Sequence, residues 1–269
     1  MTVSVAPPPG GQTIDLLDPY LYSGDPWPVY KWLRDDAPAY RDVNGIWGIS
    51  RYRDVMEIEK NTRLYRSADG SRPLIEYMDS MINKDDPAHL QQRKLVSPRF
   101  TPAAVRRHED HVRDIATELL DAVEAKGYAE VVEDIAAPLP AIMICELLGF
   151  DRSMWPMCKH VSELSMAAAG YMPGDPRAPA GSVEATGEFY MAVLELMEKR
   201  RADPRDDLIS VWMQGVAEQR IPETEVPHEA ILLLDGGAET TRSTIGQIVV
   251  TLARHPDERR KIVENPELL

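Results

Sequence analysis

The chain has 269 residues, 43% of them hydrophobic, which is enough to bury a core as one large domain or two smaller ones. Its 44 Asp and Glu outnumber its 30 Lys and Arg, giving a formal net charge of −14. That balance argues against a nucleic-acid binder and against docking on an anionic membrane surface, and mainly implies solubility.

In chain order, MTVSVAPPPGGQ has neither a basic start nor an apolar h-region, so residues 1–13 read as a disordered, proline-rich lead-in and not as a signal peptide. In PWPVYKWLRDD, Val29, Trp32 and Leu33 lie at helical spacing. AYRDVN and GIWGISRY are short extended runs divided by Asn44-Gly45, a hairpin signal. Arg53 to Asn61 reads as a helix. Tyr65 to Asn83 is irregular, broken by Gly70 and Pro73, yet it carries Leu74, Ile75, Met78, Met81 and Ile82. It is either a surface loop pinned by a few buried side chains or a lid over an apolar site.

From Asp86 the chain turns helical, over His89–Phe100, Ala103–Lys126, Leu139–Gly149, Arg152–Ala169, Ser182–Arg201, Asp206–Ala217 and Pro227–Arg254. The expected fold class is mainly α with a minor β-sheet near the N-terminus. No run of 18 apolar residues occurs, so no membrane span is expected. Cys145 and Cys158, the two cysteines, show neither a disulfide framework nor zinc-type spacing, which suits a reducing, cytoplasmic setting.

Two constellations could carry chemistry. In DDPAHLQQRKLVSPRF, Asp86-Pro87 suits a helix start with an acidic N-cap, and His89 and Arg93 then share one helix face. Such a pair can hold a carboxylate or phosphate, or can simply be solvated. In LLLDGGAETTRST, Gly236 and Gly237 fall inside a long helical pattern, where each costs about 1 kcal/mol relative to alanine. Either another group approaches the bare backbone closely, or two helices meet at a break. A mid-helix Thr240 can bond back to a carbonyl one turn earlier, and Glu239 beside a hydroxyl could relay protons. Glu198 and Arg201 fit an E-x-x-R spacing but read as a charged helix end. His160, His228 and His255 lack partners at ligand spacing, and the methionines read as core.

In this order and separation the two constellations resemble the bacterial cytochromes P450. DDPAHLQQRKLVSPRFTP is similar to the family's C helix, EVVEDIAAPLPAIMICELLGF to its D–E region, and RRADPRDDLISVW to the end of G and the H helix. LLLDGGAETTRSTIGQIVVTLARHPDERRKI is similar to the I helix and the start of J. The likeness runs from about Ile14 to the last residue. YRSADGSRP and INKDDPAHLQQRKLV are similar to actinobacterial members that oxidise the terminal carbon of the cholesterol side chain.

The resemblance implies a cytochrome P450 fold and a haem-dependent monooxygenase, an oxidoreductase that hydroxylates an apolar, sterol- or lipid-like substrate with O2 and electrons from a ferredoxin-type donor. It implies haem b held at its propionates by His89 and Arg93. Gly236 and Gly237 would let haem and substrate approach the helix, and Glu239 and Thr240 would form the proton-delivering acid–alcohol pair. Met81, Ile82, Leu234 and Asp235 would face the substrate. It also implies that Arg93, Lys94, Arg99, Arg106 and Arg107 lie on the ferredoxin-docking face, although a solvated basic face fits the residues as well.

No F-x-x-G-x-x-x-C-x-G loop and no E-x-x-R after the long helix are present, so residues 14–269 are expected to be a partial, C-terminally truncated P450 domain. Without a metal-ligating cysteine, it is expected to be inactive alone and marginally stable unless a partner covers its apolar faces. The alternative is a non-catalytic helical remnant, or a split half that binds a partner chain.

Overall fold

Prolines, glycines and capping acids punctuate the helices largely where the sequence predicts in the computed structural model, which describes residues 7–11, 13–71, 73, 78–169, 171 and 177–268. Leu74 and Ile75, and residues 1–6 and 12 of the expected lead-in, lie outside the described residues. The chain divides into one unit of Met1–Tyr77 with Ile82–Asp85, and a second of Met78–Met81 with Asp86–Leu269.

The first unit contains helices α1 (Pro19–Ser23), α2 (Trp27–Asp35) and α3 (Tyr52–Lys60), and an antiparallel pair, β1 (Ala39–Arg41) and β2 (Trp47–Ile49). Helix α2 buries Trp32 and Leu33, with Val29 packed beside them, as their spacing predicts. The Trp32 and Tyr40 rings meet edge to face at 5.5 Å. The hairpin forms where Asn44-Gly45 places it, but its organising residue is Asp42. Its carboxylate accepts the N–H groups of Leu16 (3.1 Å), Asn44 (2.9 Å) and Ile46 (2.8 Å). Burial would raise the Asp42 carboxyl, yet these hydrogen bonds outweigh it and hold the group below the usual carboxylate range. Gly45 supplies the positive φ (81°) that closes the loop.

The second unit is helical: α4 (Ala88–Val96), α5 (Pro102–Arg106), α6 (Glu109–Lys126), α7 (Pro138–Leu148), α8 (Trp155–Ala168), α9 (Ser182–Ala202), α10 (Leu208–Ala217), α11 (Val226–Arg254) and α12 (Pro256–Glu264). The expected single helix over 103–126 is two. Helix α5 tightens at its end, where the Arg107 N–H bonds to both Ala104 and Val105 carbonyls, and α6 starts afresh after His108. The helix expected over 89–100 passes into a 3-10 turn, Ser97–Phe100, at Pro98.

One apolar core joins α4 and α7 to α11, with Trp212, Phe189, Leu148, Met197, Leu208, Ile209 and Leu234 fully buried. Helix α11 packs on α7, α8, α9 and α10. At the other end of α7, the buried Arg200 pairs with Asp207 at 2.5 Å and donates to the Gly149 carbonyl at 2.7 Å. A Cβ at Gly149 would lie 2.4 Å from the Asp207 carboxylate, so this close approach and a φ of 106° both require glycine there.

Candidate functional site

The site takes its side chains from α4, α8 and α11. Helix α4 begins at Ala88 behind Pro87, whose αR conformation occupies the N-cap position without a side-chain cap. Asp86 is therefore not the N-cap that the sequence suggests. Its carboxylate instead meets His89 Nδ1 at 3.3 Å. The inner face of α4 buries Gln92, Leu95 and Val96. The outer face carries His89, partly exposed, and Arg93, exposed and without an ion pair among the described residues. Together they form an open cationic face with donors to spare.

Helix α11 spans 29 residues, about 43 Å at 1.5 Å per residue, and runs unbroken through Gly236-Gly237. The alternative of two helices meeting at a break is thereby excluded. The two glycines face different surroundings. A Cβ at Gly237 would lie 3.2 Å from Ile144 Cδ1 of α7, so this glycine admits a neighbouring helix. A Cβ at Gly236 would meet nothing within 4 Å. Thr240, one turn on and also exposed, donates its hydroxyl to the Gly236 carbonyl at 2.9 Å, as expected of a mid-helix threonine. Its remaining lone pairs are left toward the open side.

Glu239, adjacent in sequence, turns a different way. Its carboxylate pairs with Arg242 three residues on, and Arg242 also reaches Glu163 of α8 at 3.0 Å. Glu163 meets Lys159 at 3.0 Å, and Lys159 meets Glu133 at 2.9 Å, so opposite charges alternate from the half-buried Glu239 to the exposed Glu133. Burial would pull the Lys159 ammonium down, but its hydrogen bonds to Glu133 and Glu163 outweigh that and push it above the usual lysine value. The Thr240 hydroxyl is engaged with the Gly236 carbonyl and Glu239 with Arg242, so the expected acid–alcohol pair is not directly hydrogen-bonded. Asp235 accepts the Ser165 hydroxyl of α8 at 2.7 Å, and Leu234 is fully buried in the core.

Met81 is buried in the core of the second unit, and its N–H donates to Glu229 Oε1 at 2.5 Å. Ile82 is 45% exposed and falls in the first unit. Sequence reading missed Arg242, Glu163 and Glu229. The three-residue spacing of Glu239 and Arg242 could have found the first; the other two act across long separations in sequence.

Glu198 and Arg201 meet each other at 3.3 Å on an exposed helix end, as expected. Of the basic cluster, Arg99 pairs with Asp206 at 2.5 Å, whereas Arg93, Lys94, Arg106 and Arg107 are exposed and have no ion pair among the described residues.

The residues present suit the periphery of a haem: two side chains on α4 for its carboxylates, and bare backbone at Gly236 for its plane. They do not suit an axial thiolate. Cys145 and Cys158 are fully buried, and the Cys145 thiol donates to the Asp151 carbonyl at 3.3 Å. The neighbouring Cys158 and burial push the Cys145 thiol above its usual range. Among the described residues, no group of three or more His, Cys, Asp or Glu could hold a metal ion.

No family model matches the chain. It is 34% identical over 261 residues to a steroid C26-monooxygenase of Mycolicibacterium smegmatis, covering 95% of this chain and 64% of that protein. A steroid C26-monooxygenase of Mycobacterium tuberculosis is also 34% identical, over 95% of this chain and 65% of its own length. The chain thus spans slightly less than two thirds of these curated relatives. A Bacillus megaterium cytochrome P450 solved in complex with testosterone superimposes with a TM-score of 0.78 at 28% identity, over 91% of this chain and 65% of that one. A myxobacterial cytochrome P450 solved with myristic acid gives 0.79 at 28% identity, over 94% and 66%. Helical fold, small N-terminal hairpin and matched relatives agree: the chain belongs to the cytochrome P450 family.

Proposed function

We propose that these residues form the cofactor-side and proton-handling part of a haem-dependent monooxygenase acting on an apolar, sterol- or lipid-like substrate. The observation that carries this is the open stripe at Gly236 and Thr240 with the buried-side ion pair of Glu239 beside it. Relatives that are steroid monooxygenases, and structures holding testosterone or myristic acid, support the apolar substrate class.

Haem, when bound, supplies dioxygen activation for inserting one oxygen atom into a C–H bond. His89 and Arg93 hold its carboxylates by charge-assisted hydrogen bonds. Gly236 leaves room for a flat ring system or a substrate carbon against the helix backbone. Thr240 uses its proton on the Gly236 carbonyl, so it accepts from the open side and donates there only after releasing that carbonyl. Glu239 is turned toward α8 and reaches the open stripe only by leaving Arg242. Because Arg242 keeps Glu163 as a second anion, that exchange never leaves a guanidinium unpaired. Arg93, Lys94, Arg106 and Arg107 form the cationic face on which an acidic ferredoxin-type donor docks, an association that weakens with added salt.

The test is haem content in the purified native protein. The double variant H89L/R93L should lose most of its haem, whereas R113L, on the exposed side of α6, should keep it. Equal haem in both would contradict the assignment. The other reading, a helical half that binds a partner chain, draws on Ile248, Val249 and Val250, which are 41–51% exposed on α11.

A further inference from the structure

Glu229 is fully buried, and one of its carboxylate oxygens holds a backbone amide 148 residues away, that of Met81. Burying a carboxylate is costly unless it is well hydrogen-bonded. A backbone N–H in an irregular segment can otherwise be satisfied by water without such a group. The Met81 that Glu229 grips opens a single 3-10 turn, Met81–Asn83. Residues 78–80 belong to no helix or strand, Ser80 and Met81 are buried, and Met78 packs on the same core. Four residues earlier, at the N-cap of α11, the buried Glu225 accepts a hydrogen bond from Gln92 of α4, next to Arg93. Both carboxylates lie at the start of α11, where the helix dipole favours negative charge.

Position along α11 gives these contacts a further meaning. Glu225, Glu229, Gly236 and Thr240 are spaced by four, seven and four residues, which places them on one stripe of the helix. From Glu229 to Gly236 is about 10 Å at 1.5 Å per residue. The stripe therefore presents an open floor at Gly236 and Thr240 and, two turns away, a tether for a buried segment carrying an apolar side chain.

We infer that Glu229 is a specificity-determining positioning residue. By clamping the Met81 backbone at a set height along α11, it fixes one end of the space above Gly236 and so limits the length and shape of apolar substrate that can lie there. This rests on the reading of Gly236 and Thr240 as the reacting floor.

The test compares E229Q, which keeps a carbonyl acceptor, with E229L, which removes it, both in the native haem-loaded protein. Testosterone and myristic acid serve as ligands, with affinity by titration and the position of hydroxylation by product analysis. E229Q should match the wild type. E229L should bind the better ligand about tenfold more weakly, a loss of about 1.4 kcal/mol, and should shift the position oxidised at unchanged haem content. Unchanged affinity and products in E229L would overturn the inference. A wild type that binds neither ligand would instead sink the substrate class, and the specificity role with it. Hydrogen exchange in the wild type needs no foldable variant: the Met81 amide should be as protected as interior amides of α11, and exchange at loop rates would overturn the tether.

Discussion

The two sides of α11 at its paired glycines differ in what they face. On the Gly237 side, Ile144 of α7 fills the space that a side chain would take, and Leu234 and Ala238 are buried. On the Gly236 side nothing lies within 4 Å of the point a Cβ would occupy, and Thr240 is exposed one turn on. Identical residues at adjacent positions thus meet different surroundings, a packed helix in one case and open space in the other.

The largest expected effect is on the closed side. Leu234→Ala should destabilise the fold by about 2–5 kcal/mol, because it removes a fully buried side chain and leaves a cavity. Ile248→Ala, on the exposed part of the same helix, should cost less than about 1 kcal/mol. Chemical denaturation of the two variants checks this, and equal losses would mean that the Ile248 region is covered in the protein.

The glycines themselves sharpen the contrast. Gly237→Ala should cost about 1–3 kcal/mol, since Ile144 must move. Gly236→Ala should instead stabilise by about 0.5–1 kcal/mol, by removing a helix-interior glycine where there is room. Thermal unfolding gives both signs.

Arg242→Leu should cost about 1–2 kcal/mol, because it removes the ion-pair partner of Glu239, only 15% exposed, and leaves Glu163 with Lys159 alone. Glu163→Gln should cost less than about 1 kcal/mol, since Arg242 keeps Glu239. A double-mutant cycle separates the pair from the chain.

The smallest effect is on pH dependence. The Lys159 ammonium is pushed up in the folded state, so its contribution is complete below the ordinary lysine pKa and is lost as pH rises through the raised value. Lys159→Met should flatten the alkaline limb of a stability–pH profile and leave the acid limb unchanged.

Much of the helical scaffold was legible in sequence. Val29, Trp32 and Leu33 gave the buried face of α2, and Asn44-Gly45 placed the hairpin. The resemblance picked out His89, Arg93, Gly236, Glu239 and Thr240, and the structure puts the last three on α11 with distinct orientations. The break between α5 and α6 was not legible, because His108 is an ordinary helical residue and the cause is a local tightening at Arg107. The capping role assigned to Asp86 failed because Pro87 itself takes the cap. The Met81–Glu229 contact could not be read at all, since nothing local marks a hydrogen bond across 148 residues.

The central claim is that the space beside Gly236 is where the cofactor and substrate lie. Gly236→Leu tests it most directly, because the substitution meets no protein atom at its Cβ and should fold at least as well as the wild type. Haem content and testosterone affinity should both fall by about tenfold or more in a protein of undiminished thermal stability. A Gly236→Leu protein that folds and binds haem and testosterone like the wild type would contradict the account.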